Sequence, residues 1–235
     1  MGLKESGLRG SLRNVSVGID AIPDAGNLYA HYDLQEQSES DGGIIDPLLD
    51  QTGNGYDADA VGGPTMDADG FNGNPCAVLD GTEDAWEVPS ADWDTLTQPF
   101  TMYWVGQIDT TGQTQAIQDN RASSDRVVFR ITGDDQFASQ APPPETVGPI
   151  DDAATDNISG LIIDGTDSVI ESETASTGTS DNLSNDLGPL SLGYENDNQT
   201  DFFEGRWVEF AVYNAGHNSA TRSEFFDYAR SKWGI

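Results

Sequence analysis

The groups in this 235-residue sequence that could serve as nucleophile, base or metal ligand are two histidines, His31 and His217, one cysteine, Cys76, and 41 acidic side chains. Neither histidine stands in a triad or zinc pattern. His31 alternates with Ala30 and Tyr32, which predicts a place in a strand rather than in chemistry. Cys76 leads into an apolar run and reads as a small buried hydrophobe; being alone, it cannot form an intrachain disulfide. Glycoside cleavage with retention needs two carboxyls about 5 to 5.5 Å apart, a spacing that so many acids would meet somewhere by chance. One acid is embedded in a hydrophobic strand: Glu209, among Trp207, Val208, Phe210 and Ala211. It is expected to be structural, with Arg206 as its partner. Hard cations take Asp and Asn oxygens, and the closest acid pairs are Asp57 with Asp59, Asp67 with Asp69, and Asp80 with Asp84. None has the spacing of an EF-hand loop.

Sugar binding would use exposed aromatic platforms beside Asp or Asn acceptors. Trp86, Trp93, Tyr194, Asp197 and Asn198 are the candidates, whereas Trp104 and Trp207, inside strand-like segments, are expected in the core.

Charge excludes more than any motif. Ten basic against 41 acidic side chains give a formal net charge of −31, and Asn14 to Asn120 contains no Lys or Arg. Nucleic acid needs a basic footprint, so neither it nor an anionic membrane surface is an expected partner. No apolar run approaches the roughly 18 residues of a membrane span. Abundant aromatics in alternating segments argue for a folded body with an acidic skin rather than a disordered chain. Asp outnumbers Glu and there are two Lys against eight Arg. Such a surface repels itself in dilute buffer and is screened at about 1 M salt, where the Debye length is roughly 3 Å; a halophilic source is the expectation.

The elements that must hold these groups are mostly strands. Leu28, Ala30, Tyr32 and Leu34 alternate, as do Val127, Phe129 and Ile131, and Leu190, Leu192 and Tyr194. Ala77–Leu79, Phe100–Ile108, Leu161–Ile163 and Phe202–Tyr213 are further strand-like runs. Residues 164–188 suggest a surface hairpin, and Pro142–Pro144 a connection. One helix is predicted over 218–233, with Asn218 or Ser219 as N-cap, a Phe225, Ala229, Trp233 stripe joined by Tyr228, and Gly234 as the stop. It is expected to pack as a lid on the sheets. Residues 1–26 form a separate arm that carries Lys4, Arg9 and Arg13 and an alternating Val15, Val17, Ile19, with no signal-peptide core. Residues 27–235 form the main domain.

In order and spacing, several pieces resemble the concanavalin A-like, laminin-G-like jelly-roll modules of phage and haloarchaeal tailed-virus structural proteins. They are Asp50-Gln-Thr-Gly-Asn-Gly55, Asn72-Gly-Asn-Pro75 leading into Val78-Leu-Asp-Gly-Thr-Glu-Asp84, Gln98-Pro-Phe-Thr-Met-Tyr-Trp-Val105, and Phe203 to Asn214 with the closing helix. The resemblance spans Leu28 to Ile235. It implies an all-β fold, an antiparallel two-sheet jelly-roll sandwich with a C-terminal helix and an extended N-terminal arm. It also implies that the Asp80 and Asp84 turn sits at a rim where such folds hold calcium, the candidate cofactor. The Glu-x-Asp-x-Glu strand of glycanases with this fold is absent, so no catalytic residue is expected and the chain is read as a non-enzyme. A fold that meets surfaces outside cells, without a secretion segment, is explained by a virus particle. The resulting expectation is a virion structural protein of a halophilic archaeal virus, made in the host cytoplasm and projecting the sandwich for host-surface or glycan recognition. The arm, through Leu3, Lys4, Leu8, Arg9 and Arg13, would join other virion proteins in a homo-oligomer. A capsid decoration protein and a glycan depolymerase are the alternatives.

Overall fold

The computed structural model describes residues 22–89, 96–121, 126–140, 146–147, 157–178, 190–196 and 199–235. Residues 1–21, with the basic arm residues and the Val15 to Ile19 alternation, lie outside them, as do Trp93, Pro142–Pro144, Asp197 and Asn198. Two antiparallel sheets form a sandwich, closed on one side by a helix.

The first sheet contains β1 (Leu28–Asp33), β3 (Thr65–Phe71), β4 (Asn74–Asp80), β6 (Phe100–Ile108), β11 (Ile158–Ile163), β12 (Val169–Ser172), β13 (Ser176–Gly178) and β15 (Glu204–Tyr213). Its order is β13-β12-β11-β6-β15-β4-β3. The long β15 pairs with β6 on one edge, while its other edge is shared end to end by β4, against 204–207, and β1, against 209–213. The second sheet runs β10-β9-β8-β7-β14-β5-β2, built from β2 (Asp59–Val61), β5 (Ala85–Glu87), β7 (Gln115–Arg121), β8 (Arg126–Ile131), β9 (Phe137–Gln140), β10 (Thr146–Val147) and β14 (Leu190–Leu192). The run Phe100–Ile108 predicted from aromatic and β-branched content is β6 residue for residue, and the expected 164–188 hairpin is present as β12 paired with β13 over its described part.

Alternation sorts side chains between two cores. Ala30, Tyr32, Met102, Trp104, Phe129, Phe137, Leu190, Leu192, Trp207, Phe210 and Val212 face inward between the sheets. The opposite face of the first sheet gives Tyr103, Val105, Ile158, Val208, Ala211 and Tyr213 to a second cluster with Phe225, Phe226, Ala229 and Trp233 of the helix α1 (Ser219–Trp233). The Tyr103 ring stacks on Phe225 with centroids 3.9 Å apart and an interplanar angle of 10°. Beneath it lies Gly160, where a Cβ would come within 2.8 Å of the Tyr103 ring; only glycine permits that approach.

The helix starts and stops as its sequence predicts. Asn218 accepts from the backbone N–H groups of Ala220 and Thr221, and Gly234 ends the helix in the left-handed region at φ 69°. Residues 22–26, assigned by sequence to the arm, pack with this layer: Ile22 is buried, Tyr213 Oη donates to the Pro23 carbonyl at 3.0 Å, and His217 Nε2 lies 3.2 Å from Asp24 Oδ2.

Two measurements follow. Asn218→Ala removes the two capping bonds and is expected to cost about 1 kcal/mol in denaturant unfolding; no loss would mean that α1 is set by packing alone. Raising NaCl from dilute buffer to about 1 M should raise the thermal midpoint by screening acid–acid repulsion, and a flat or falling midpoint would contradict that.

Candidate functional site

Two charged clusters stand out, one under α1 and one on the outer face of the second sheet. The first is centred on Glu209, which is fully buried. Strict alternation from Trp207 would point Glu209 into the sandwich core. A β-bulge intervenes, since Trp207 pairs with Gly106 and Glu209 with Val105, leaving Val208 as an extra residue. The bulge shifts the parity, so Glu209 faces the helix. Its Oε1 accepts from Tyr228 Oη at 2.8 Å and lies 2.7 Å from His31 Nε2 and 3.2 Å from Lys232 Nζ, and Oε2 accepts from Trp233 Nε1 at 2.6 Å. Lys232 Nζ also donates to Asp33 Oδ2 at 2.6 Å and to Tyr228 Oη at 2.8 Å. His31 and Asp33 are two apart on β1 and so share its helix-side face.

Burial by itself would raise the Glu209 carboxyl, yet the Lys232 ammonium and the His31 contact outweigh it and hold it near 2. Asp33 is raised by burial and by the Glu209 charge, despite Lys232. His31, Asp33 and Glu209 offer ligand atoms within 4.8 Å of one another, and this is the single such three-residue group among the described residues. The Lys232 ammonium already supplies the positive charge a metal would bring. The cluster therefore fastens the helix to the sheet, a structural role for Glu209, with Lys232 in place of the expected Arg206. Arg206 instead pairs with Asp109.

The second cluster is built from β7, β8 and the turn after β14. Asp119, although it points away from the inter-sheet core, is fully buried. Arg126 grips it through two parallel bonds, Nε to Oδ1 and Nη2 to Oδ2, both 3.0 Å, the fork geometry that makes such pairs strong. Asn196 N donates to Asp119 Oδ2 at 2.9 Å. Arg126 also pairs with Glu195, whose other oxygen lies 3.8 Å from Arg130 Nη1. Beside them Tyr194 Oη donates to Glu87 Oε1. Burial works to raise Glu195, but Arg126 outweighs it and lowers the carboxyl; Asp201 is raised by burial and by the neighbouring Glu195. Asp201 and Gln199 both have positive φ, 53° and 50°, a strained backbone of the kind stored at binding sites. The Arg126, Arg130 and Glu195 side chains retain 19%, 16% and 12% exposure, which leaves a partly open layer of alternating charge. The alternation that puts Val127, Phe129 and Ile131 inward already places Arg126 and Arg130 outward, so part of this site was visible in sequence.

Of the residues singled out for sugar or metal, Trp93, Asp197 and Asn198 lie outside the described residues, and the others play other parts. Trp86 is not a surface platform: it is fully buried, donates from Nε1 to the Ile45 carbonyl at 3.0 Å and packs edge-on against Trp207. Its short strand β5, hidden between turn residues in the sequence, points it inward. Tyr194 is buried as well, stacked on Phe202 with centroids 5.4 Å apart, and contributes its hydroxyl rather than its ring face. Asp80 turns both oxygens to its own loop, accepting from the N–H groups of Thr82, Glu83 and Asp84 and from Thr82 Oγ1, which holds it at about 2. Asp84 accepts from Gly63 N at 2.7 Å. Asp80 thus gives both oxygens to its own turn, and Asp84 ties that turn to Gly63 through Oδ1. Burial pushes the Cys76 thiol up to about 12, an inert group.

No family model matches the chain, and no curated protein is significantly similar to it. Solved structures do share the fold. A Trypanosoma rangeli sialidase in complex with sialic acid superposes with TM-score 0.63 at 11% identity, over 88% of this chain and 33% of that one. Domain 4 of AbnA, a GH43 extracellular arabinanase from Geobacillus stearothermophilus in complex with arabinotriose, does so with TM-score 0.61 at 17% identity, over 86% of this chain and 98% of that one. A GH54 α-L-arabinofuranosidase gives 0.59 at 10% identity over 81% and 51%. This chain thus spans about a third of the sialidase. The antiparallel jelly-roll-like sandwich expected from sequence is the observed fold. The virion structural role is corrected: the neighbours are chains of glycan-acting enzymes, and nothing ties the molecule to phage or archaeal virus particles.

For the helix clamp, Lys232→Ala should destabilise the protein by about 3 to 5 kcal/mol, because it strands buried carboxylates. The Glu209 contribution, read as the stability difference between wild type and Glu209→Gln, is expected in full above about pH 4.5 and should fall as pH drops toward 2. A difference that stays constant across that window would show that the Glu209 charge does not fasten the helix.

Proposed function

We propose that this chain is carbohydrate-active: it engages a glycan on the outer face of the second sheet, in the manner of a sandwich module working with glycan-degrading enzymes. The observation that carries this reading is the partly exposed layer that Arg126, Glu195 and Arg130 form over the buried Asp119, with Glu87, Tyr194 and Asp201 at its margin. Sugar hydroxyls are donors and acceptors at once, and a fixed array of carboxylates and guanidiniums meets both needs. The bidentate Arg126 pair holds the array in place before any ligand arrives, so less ordering accompanies binding. The likeness to a domain solved with arabinotriose supports the same reading.

Cleavage is the second reading, favoured by one observation. Glu195 and Asp201 are adjacent carboxyls displaced in opposite directions, down and up, the relation by which acid and base roles are divided between two carboxyls.

Calorimetric titration with arabinotriose and with longer arabinan and xylan oligosaccharides, in high salt, is expected to give saturable binding. Arg130→Ala should weaken it by about tenfold or more with the fold intact. Absence of binding across neutral and acidic glycans would reject the function. Release of reducing ends that is lost in Asp201→Asn would establish cleavage, and total inactivity with retained binding would leave a binding module.

A further inference from the structure

We infer that the glycan taken by this face is neutral, and that sugars bearing carboxylates or sulfates are excluded; the inference rests on the binding reading above. Three observations on charge support it. First, among the described side chains positive charge is fully committed. Six basic side chains are described, and each is paired with a carboxylate: Arg126 with Asp119 and Glu195, Arg130 with Glu195, Arg206 with Asp109, Arg222 with Glu171, Arg230 with Glu173, and Lys232 with Asp33 and Glu209. An anionic sugar that drew Arg126 toward itself would compete with Asp119, a fully buried carboxylate, and an uncompensated buried charge is strongly unfavourable. Second, the layer itself is balanced, with Arg126 and Arg130 facing Asp119 and Glu195, so it presents hydrogen-bonding capacity without net attraction for an anion.

Third, the flanking half of the same sheet is one-signed. β5 and β2 come from the stretch between Asn14 and Asn120 that has no Lys or Arg, and they bring Glu87 and Asp59 to the side of the sheet next to β14. A ligand that extends from β14 across β5 toward β2 therefore meets carboxylates and, among the described side chains there, no cation. Like charges set against each other across a desolvated interface are strongly unfavourable, and the net charge of −31 adds a repulsive field at low ionic strength. Neutral hydroxyls suffer neither penalty. Solved neighbours with named sugars fall on both sides of this division, sialic acid being anionic and arabinotriose neutral.

The test uses the full chain and matched ligands: arabinotriose and neutral arabinan oligosaccharides against sialyllactose and oligogalacturonate, titrated in low and in molar salt. Neutral ligands should bind with little salt dependence, while the acidic ones should be at least about tenfold weaker in low salt, with the gap narrowing as salt rises. Glu195→Gln, which removes the carboxylate shared by Arg126 and Arg130, should narrow the gap in low salt. Asp201→Asn offers a second charge removal that leaves the Arg126 pairs in place, should the first variant fail to fold. Acidic sugars bound as tightly as neutral ones by the wild type would overturn the inference and leave the binding function standing. Binding of no glycan at all would overturn both.

Discussion

Positive charge is the scarce component of this molecule, and its placement organises the rest. With 10 basic side chains against 41 acids, a cation left on the surface would do little, since exposed ion pairs contribute about 0 to 1 kcal/mol. Two of the described cations are instead set where a buried carboxylate needs compensation. Lys232 enters a pocket where both it and Asp33 have 2% exposure, and Arg126 covers an Asp119 with none. Removing either would leave an acid in a low-dielectric setting, where an unpaired charge is far more costly than a lost surface bridge.

The two placements produce different kinds of structure. Under α1 the charges are sealed beneath Trp233 and Tyr228, their hydrogen bonds run between β1, β15 and the helix, and the result is attachment of a helix to a sheet. On the second sheet the same chemistry is left partly open. Arg126 is anchored from below by Asp119, and Glu195, held in a turn with strained backbone, closes it from above. The first cluster looks like a metal site and the second like an ion-pair lattice; exposure, rather than residue type, separates the structural one from the candidate for binding.

Much of the fold was legible in the sequence because it depends on local signals. Phe100–Ile108 is long and rich in β-formers, and the 218–233 helix carries its own cap, stripe and stop. The short strands β2, β5 and β9 were not recognised, since three or four residues give too little periodicity to register. Trp86 was misplaced for that reason. Glu209 was correctly singled out, but its direction depends on a bulge at Val208 and its partner lies 23 positions away on another element, neither of which periodicity reports. The outer-face cluster was missed because Asp119, Arg126 and Glu195 sit on separate elements joined only by the order of the second sheet. The one local hint was the outward parity of Arg126 and Arg130.

The central claim is that glycan contacts the outer face of the second sheet. Backbone amide NMR during titration with arabinotriose tests it most directly. The account predicts that shift changes concentrate on β7, β8 and residues 190–201 and leave α1 unmoved. Changes confined to α1 and the β12 edge, with the second sheet silent, would contradict it.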